Sequence, residues 1–175
     1  MKISFALAAV VIASSLWIQQ TAEAQTVIDI GPRIGIDVGG DVEDFYIGAD
    51  GRFRTGLPVI INTTFDYYFT ESNFSFWQVG GNALYEFSVS SASIVPYAGA
   101  GLSISRFGVD IPPIDLGEFG SFGGSASSTD VGLNLIGGAS FTAGSLRPFA
   151  QAQITVGDVD LFTIGGGLLF TISGG

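Results

Sequence analysis

The stretch DFYIGADGRFR, residues 44–54, decides the fold. Phe45, Ile47, Ala49, Gly51 and Phe53 alternate with Tyr46, Gly48, Asp50, Arg52 and Arg54. A period of two marks an extended strand, whose successive side chains point to opposite faces. One face is apolar. The other carries a carboxylate and two guanidiniums, so it is either wet or its charges are paired.

The same alternation recurs along the chain. It predicts eight strands, at 27–39, 44–55, 59–70, 76–89, 94–107, 129–141, 146–156 and 161–172. In the first, Ile28, Ile30, Ile34, Ile36 and Val38 oppose Asp29, Gly31, Arg33, Gly35 and Asp37. In the third, Ile61, Phe65, Tyr67 and Phe69 oppose Asn62, Thr64, Asp66 and Tyr68. In the fourth, Trp77, Val79, Tyr85 and Phe87 oppose Gln78, Asn82, Leu84 and Glu86. The remaining strands repeat the pattern, and no helical period follows residue 24. Most runs are about 11 to 14 residues long. A tilted membrane strand needs roughly 9–11 residues, whereas a soluble strand usually has about 5–6.

The connections fall into two sets. Residues 56–58, 90–93 and 142–145 are short and uncharged. Residues 40–43, 71–75, 108–128 and 157–160 hold most of the acid outside the strands: Asp41, Glu43, Glu71, Asp110, Asp115, Glu118, Asp158 and Asp160, with Asp44 beside them. Short turns at one end and longer loops at the other are the asymmetry of outer-membrane barrels. The 108–128 connection joins VDIPPIDL to GSFGGSASS, a composition of flexible chain. It is read either as a partner-binding loop or as a shield over the mouth.

The chain opens MKISFALAAVVIASSLWIQQTAEA, a basic residue, an apolar run and a small-x-small Ala22-Glu23-Ala24. This predicts an export signal over residues 1–24 and a single barrel domain over 25–175. There is no Cys and no His, Lys2 is the only lysine, and the net charge is −10. That charge excludes grip on a nucleic-acid backbone. The 26 glycines follow no G-x-y period, and the many Phe and β-branched residues argue against disorder.

A soluble sandwich alternates as well, so the facing has to be argued. The polar rows are rich in Gly, Ser, Thr and Asn, which suit the narrow inside of a small barrel. Aromatics gather near strand ends: Phe45, Phe53, Tyr67, Phe69, Phe76, Trp77, Tyr85, Phe87, Phe141, Phe162 and Phe170. Lipid-facing girdles explain that placement. An open sheet edge in hydrocarbon leaves N–H and C=O groups unpaired, so the sheet must close. The expected fold is therefore all-β: a closed, eight-stranded, antiparallel, up-and-down transmembrane β-barrel. Its termini and short turns are expected in the periplasm and its acidic loops outside.

The export signal, VPYAGAGLS (95–103), LRPFAQAQ (146–153) and the closing GGGLLFTI (165–172) carry a resemblance. From Gln25 to about Ile172 the chain resembles the small eight-stranded outer-membrane β-barrel family, the porin-like OmpA/OmpX-type domains. The resemblance implies insertion by the outer-membrane assembly machinery, normally assisted by an aromatic at the end of the last strand. Here the chain ends FTISGG, with Phe170 five residues before the end.

The inward charges are Asp29, Arg33, Asp37, Asp50, Arg52, Arg54, Asp66, Glu86, Asp130 and Arg147. One reading is an ion-pair network that plugs the lumen, and the other is a lumen that conducts small ions. Catalysis is not expected: no His supplies a base for a Ser nucleophile, and nothing sets Asp66 and Glu86 at a working distance. No catalytic, cofactor-binding or metal-ligating residue is assigned. GGDVED (39–44) lacks the spacing of a calcium loop, and the Gly pairs lack the lysine of a phosphate loop.

The expected function is non-enzymatic, structural or in surface interaction, with an ion channel of the same fold as one alternative. The other alternative is a secreted, lipocalin-like barrel holding an apolar ligand. Expected partners are outer-membrane lipid, the assembly machinery, an extracellular partner at 108–128 and weakly held divalent cations at the acidic loops. The barrel is expected to be a monomer without a cofactor.

Overall fold

The computed structural model describes residues 26–70, 72–89, 93–115 and 121–173. The expected signal lies outside them, as do Glu71, Glu118 and the side chain of Asp115. Eight strands follow in order: β1 Val27–Asp37, β2 Phe45–Arg54, β3 Val59–Tyr68, β4 Phe74–Glu86, β5 Ile94–Asp115, β6 Ser121–Phe141, β7 Leu146–Val156 and β8 Leu161–Ser173. Each pairs antiparallel with the next, and β1 pairs with β8 to close the barrel. Closure gives each strand a partner on both sides, as hydrocarbon requires.

The alternation sorts the side chains as the sequence predicts. Ile30, Ile34, Ile47, Phe65, Leu102, Val131, Leu133, Ile164 and Phe170 are exposed on the outside. Asp29, Arg33, Asp50, Arg52, Asp66, Asn82 and Asn134 are buried inside. A soluble carrier of an apolar ligand needs the reverse. One aromatic departs from the expected girdle: Phe76 is fully buried in the lumen. It shares the parity of Gln78, so the pleat turns it inward, where its ring packs on Tyr68 with centroids 4.9 Å apart.

The larger correction concerns residues 108–128, expected as an irregular loop. Most of them extend β5 and β6 as a paired hairpin, with Gly108 opposite Ser127, Val109 opposite Ala126 and Asp110 opposite Ser125. The register shifts between Ile111 and Ile114, at Pro112-Pro113, where the backbone has no N–H to donate. Glycine and serine are flexible in isolation, but here the ladder already formed by the barrel strands supplies a template. The hairpin outruns its neighbours: β4 accompanies β5 only to Val109, and β7 meets β6 only from Leu133 onward.

Candidate functional site

The lumen gathers most of the strand charges the sequence singles out, and several of these side chains are buried. Register sets the rows. Arg33, Gly48, Asp66, Gln78, Ser105 and Asp130 lie opposite one another on six successive strands. Four residues away along the strands, Arg52, Asn62, Asn82, Gly101 and Asn134 do the same. Side chains from these rows meet across the interior.

At the centre, two guanidiniums face two carboxylates. Arg33 Nε lies 3.2 Å from Asp66 Oδ1, and Arg33 Nη1 lies 3.8 Å from Asp50 Oδ2. Arg52 Nε donates to Asp50 Oδ1 at 3.1 Å. All four residues are at most 2% exposed, so the charges are removed from water and must compensate one another. Tyrosines complete the arrangement. Arg33 Nη2 donates to the Tyr46 hydroxyl and Arg52 Nη2 to the Tyr97 hydroxyl, each at 3.1 Å. The Tyr97 hydroxyl in turn donates a hydrogen bond to Gln151 Oε1 at 3.0 Å. The Arg52 guanidinium also stacks over Phe149, 4.5 Å from the ring centroid.

A run of amides leads away from these charges. Asn62 donates to Asp50 Oδ1, Asn82 donates to Asn62, and Asn134 donates to Asn82, each at 2.9 Å. The Asn134 carbonyl then accepts from Ser103 at 3.0 Å and Thr155 at 2.9 Å. Each amide accepts with its oxygen and donates with its nitrogen, so the relay satisfies both ends of three buried asparagines.

Apolar clusters lie on both flanks. Toward the acidic loops, Tyr46, Tyr68, Phe76 and Leu161 form one cluster, covered by Val42, Phe107 and Val159. Toward the termini, Ile60, Leu84, Tyr97 and Ile136 form another. Below it, Arg54 bridges Asp29 at 3.0 Å and both oxygens of Glu86 at 2.9 and 3.0 Å. Thr171 adds a hydrogen bond to Asp29 at 2.7 Å. A cavity of about 500 Å³ opens at this end, lined by Arg54, Glu86, Leu57, Phe87 and Ile60. Its inner wall is part of the apolar cluster.

Glycines make the filling possible. A Cβ at Gly35 or Gly165 would collide with the Tyr46 hydroxyl, and one at Gly138 with the Tyr97 ring. Tyr46 and Tyr97 therefore lie over bare backbone on strands β1, β6 and β8.

The structure brings together Asp29, Arg33, Asp50, Arg52, Arg54, Asp66 and Glu86, as expected, but divides them. Asp66 belongs to Arg33 in the central group, and Glu86 to Arg54 at the terminal mouth. Asp37 has no cationic partner among the described residues. Its carboxylate accepts the backbone N–H groups of Val42, Glu43 and Phe162, which folds the 38–44 loop. Asp130 and Arg147 form no ion pair among the described residues. Among the loop acids, Asp41 accepts the N–H of Asp160, and Asp160 that of Gly157. Among the described residues no group of three or more acids is placed to hold a metal ion. Sequence reasoning missed the asparagine relay and the two tyrosine hydroxyls. Their signal is the register, which places Asn62, Asn82 and Asn134 in one row.

Comparison with known proteins gives the same architecture. A family model described as "Outer membrane protein beta-barrel domain" matches residues 7–166. The N-terminal β-barrel domain of Pseudomonas aeruginosa OprF superposes with a TM-score of 0.61 at 13% identity, covering 85% of this chain and 98% of that one. Neisserial surface protein A gives 0.63 at 17% identity, covering 87% and 100%. Ail, the attachment invasion locus protein of Yersinia pestis, gives 0.59 at 18% identity, covering 86% and 100%. No curated protein matches the sequence.

Proposed function

This chain belongs to the outer-membrane protein β-barrel domain family, and from that membership we propose a non-enzymatic barrel that acts through its surface and not through its lumen. The observation that supports the reading is the packing of the lumen. The central ion pairs, the asparagine relay and the apolar clusters on both flanks are buried together. A conducting pore needs a continuous wet path, and a buried charge persists only where it is paired.

The surface part of the reading rests on the β5–β6 hairpin. The acidic loops face outward, and the termini and short turns face the periplasm, where an exported chain begins its insertion. The hairpin then stands clear of the membrane. Its two edges differ. The β5 edge carries Asp110 and Pro112, which discourage strand pairing. The β6 edge from Ser121 to Gly132 is paired only on its β5 side. It has no proline and no charge before Asp130. At about 3.4 Å per residue it is roughly 40 Å long. Such an edge suits an extended segment of an extracellular protein that adds as a further strand.

Ail has been crystallised with the heparin analogue sucrose octasulfate. That ligand does not fit this chain, whose loop end is acidic at Asp41, Glu43, Asp44, Asp110, Asp158 and Asp160.

The test uses cells that lack their own copy. Replacing residues 110–126 by a short turn is expected to leave the barrel folded and membrane-inserted while abolishing the adherence that the intact protein restores. Full adherence with the truncated form would move the role to the barrel itself.

A further inference from the structure

We infer that Arg106, with the hydroxyl groups around it, forms a site for the phosphate of an anionic lipid headgroup on the outside of the barrel. The inference rests on the membrane reading above and adds to it a specific headgroup contact. Arg33, Arg52 and Arg54 are committed to the lumen, and Arg147 shares the inward side of β7 with Phe149 and Gln151. Among the described residues, Arg106 is the one cation on the outer face, and its side chain is exposed.

Its height on the barrel is informative. Below it on the same face of β5 lie Ala98, Ala100, Leu102 and Ile104, all apolar. Directly across the ladder are Trp77 on β4 and Thr129 on β6, and Tyr67 on β3 lies opposite Trp77. Tryptophan and tyrosine mark the headgroup level of a bilayer. Arg106 thus stands where the hydrocarbon ends. A guanidinium deeper in would be costly, and at this level it meets phosphate.

The surroundings suit that ligand. Arg106 Nη2 donates to Ser127 Oγ at 3.0 Å. Thr129 is opposite it, and Ser75 lies on the same outer face of β4, opposite Gly108. No ion pair among the described residues includes Arg106. The next acid on its face, Asp110, is four residues further along β5, roughly 13 Å at about 3.4 Å per residue. A planar guanidinium flanked by hydroxyls matches phosphate oxygens, which accept hydrogen bonds from both. The chain as a whole carries a charge of −10 and would repel an anionic leaflet, so this contact decides which headgroup sits beside the hairpin.

Trp77 is a built-in reporter, the single tryptophan beyond residue 24. The protein is inserted into phosphatidylcholine vesicles, with Trp17→Phe where the N-terminal segment is retained. Quenching of Trp77 is then compared for brominated phosphatidylglycerol and brominated phosphatidylcholine at equal mole fraction. The expected result is excess quenching by the anionic lipid, reflecting roughly a fivefold local enrichment, the effect of one basic side chain at an anionic surface. Arg106→Gln removes the excess and Arg106→Lys keeps part of it, with folding of both verified on an unboiled gel. Inorganic phosphate at millimolar concentration leaves the excess in place. Equal quenching by the two lipids overturns the inference and leaves the membrane reading standing. Loss of the excess on adding inorganic phosphate overturns the lipid assignment in favour of a soluble anion. Absence of quenching by either lipid overturns the membrane placement together with the inference.

Discussion

Arg52 occupies the most demanding position in the lumen. Its guanidinium binds Asp50 and Tyr97, stacks on Phe149 and is fully buried. Arg52→Leu leaves Asp50 with Asn62 and a distant Arg33, so a buried carboxylate loses its nearest cation. Breaking a buried pair in this way costs about 3–5 kcal/mol. Arg54→Leu is expected to cost less, because its side chain is 19% exposed and water replaces part of the interaction. Urea titration of the two variants in detergent, read on unboiled gels, checks the order. Equal midpoints would mean that Arg52 is as wet as Arg54. Asn82 gives a separate test. Asn82→Leu removes one donor and one acceptor from the middle of the relay and strands its neighbours Asn62 and Asn134. The expected loss is about 1–3 kcal/mol, the desolvation of groups left unpaired, measured by the same titration. At this scale the sequence reveals facing but not partnership. That Asp50 and Arg52 point inward follows from parity alone. That Asp66 meets Arg33 while Glu86 meets Arg54 depends on register, and register is set by strands far apart in the chain.

Strand identity was legible because alternation is local. Each of the eight predicted runs corresponds to a strand, and the ends of β1, β2, β3 and β4 move by a few residues at most. The extension of β5 and β6 was not legible, because GSFGGSASS has the composition of a linker. What makes it a strand is the ladder to β5, a non-local cause. The single-sided pairing has its own signature in amide exchange. Below Leu133, β6 has partners on both sides, and every backbone N–H that faces a partner is bonded. Between Gly124 and Gly132 only alternate N–H groups reach β5. Exchange is therefore expected to be slow throughout residues 133–140 and to alternate between slow and fast over 124–132. Uniformly fast exchange over 124–132 would restore the irregular loop that the composition suggests.

The closed barrel places an apolar exterior around a buried polar interior. The outer face was readable from the sequence, since rows of Ile, Leu, Val and Phe repeat on one side of every strand. The filling of the inner face was only half readable, because glycine marks space without stating what fills it. Gly35 and Gly165 receive Tyr46, and Gly138 receives Tyr97. Two apolar clusters and a central group of paired charges lie in series along the lumen, and on the proposed reading they leave ions no continuous wet path. The most direct test of this claim is single-channel recording of the purified, folded protein in a planar lipid bilayer. The expected result is a silent membrane at applied voltages of either sign, with insertion verified independently by protease protection. A steady ohmic current that scales with the number of inserted barrels would contradict the plug and make the lumen a channel.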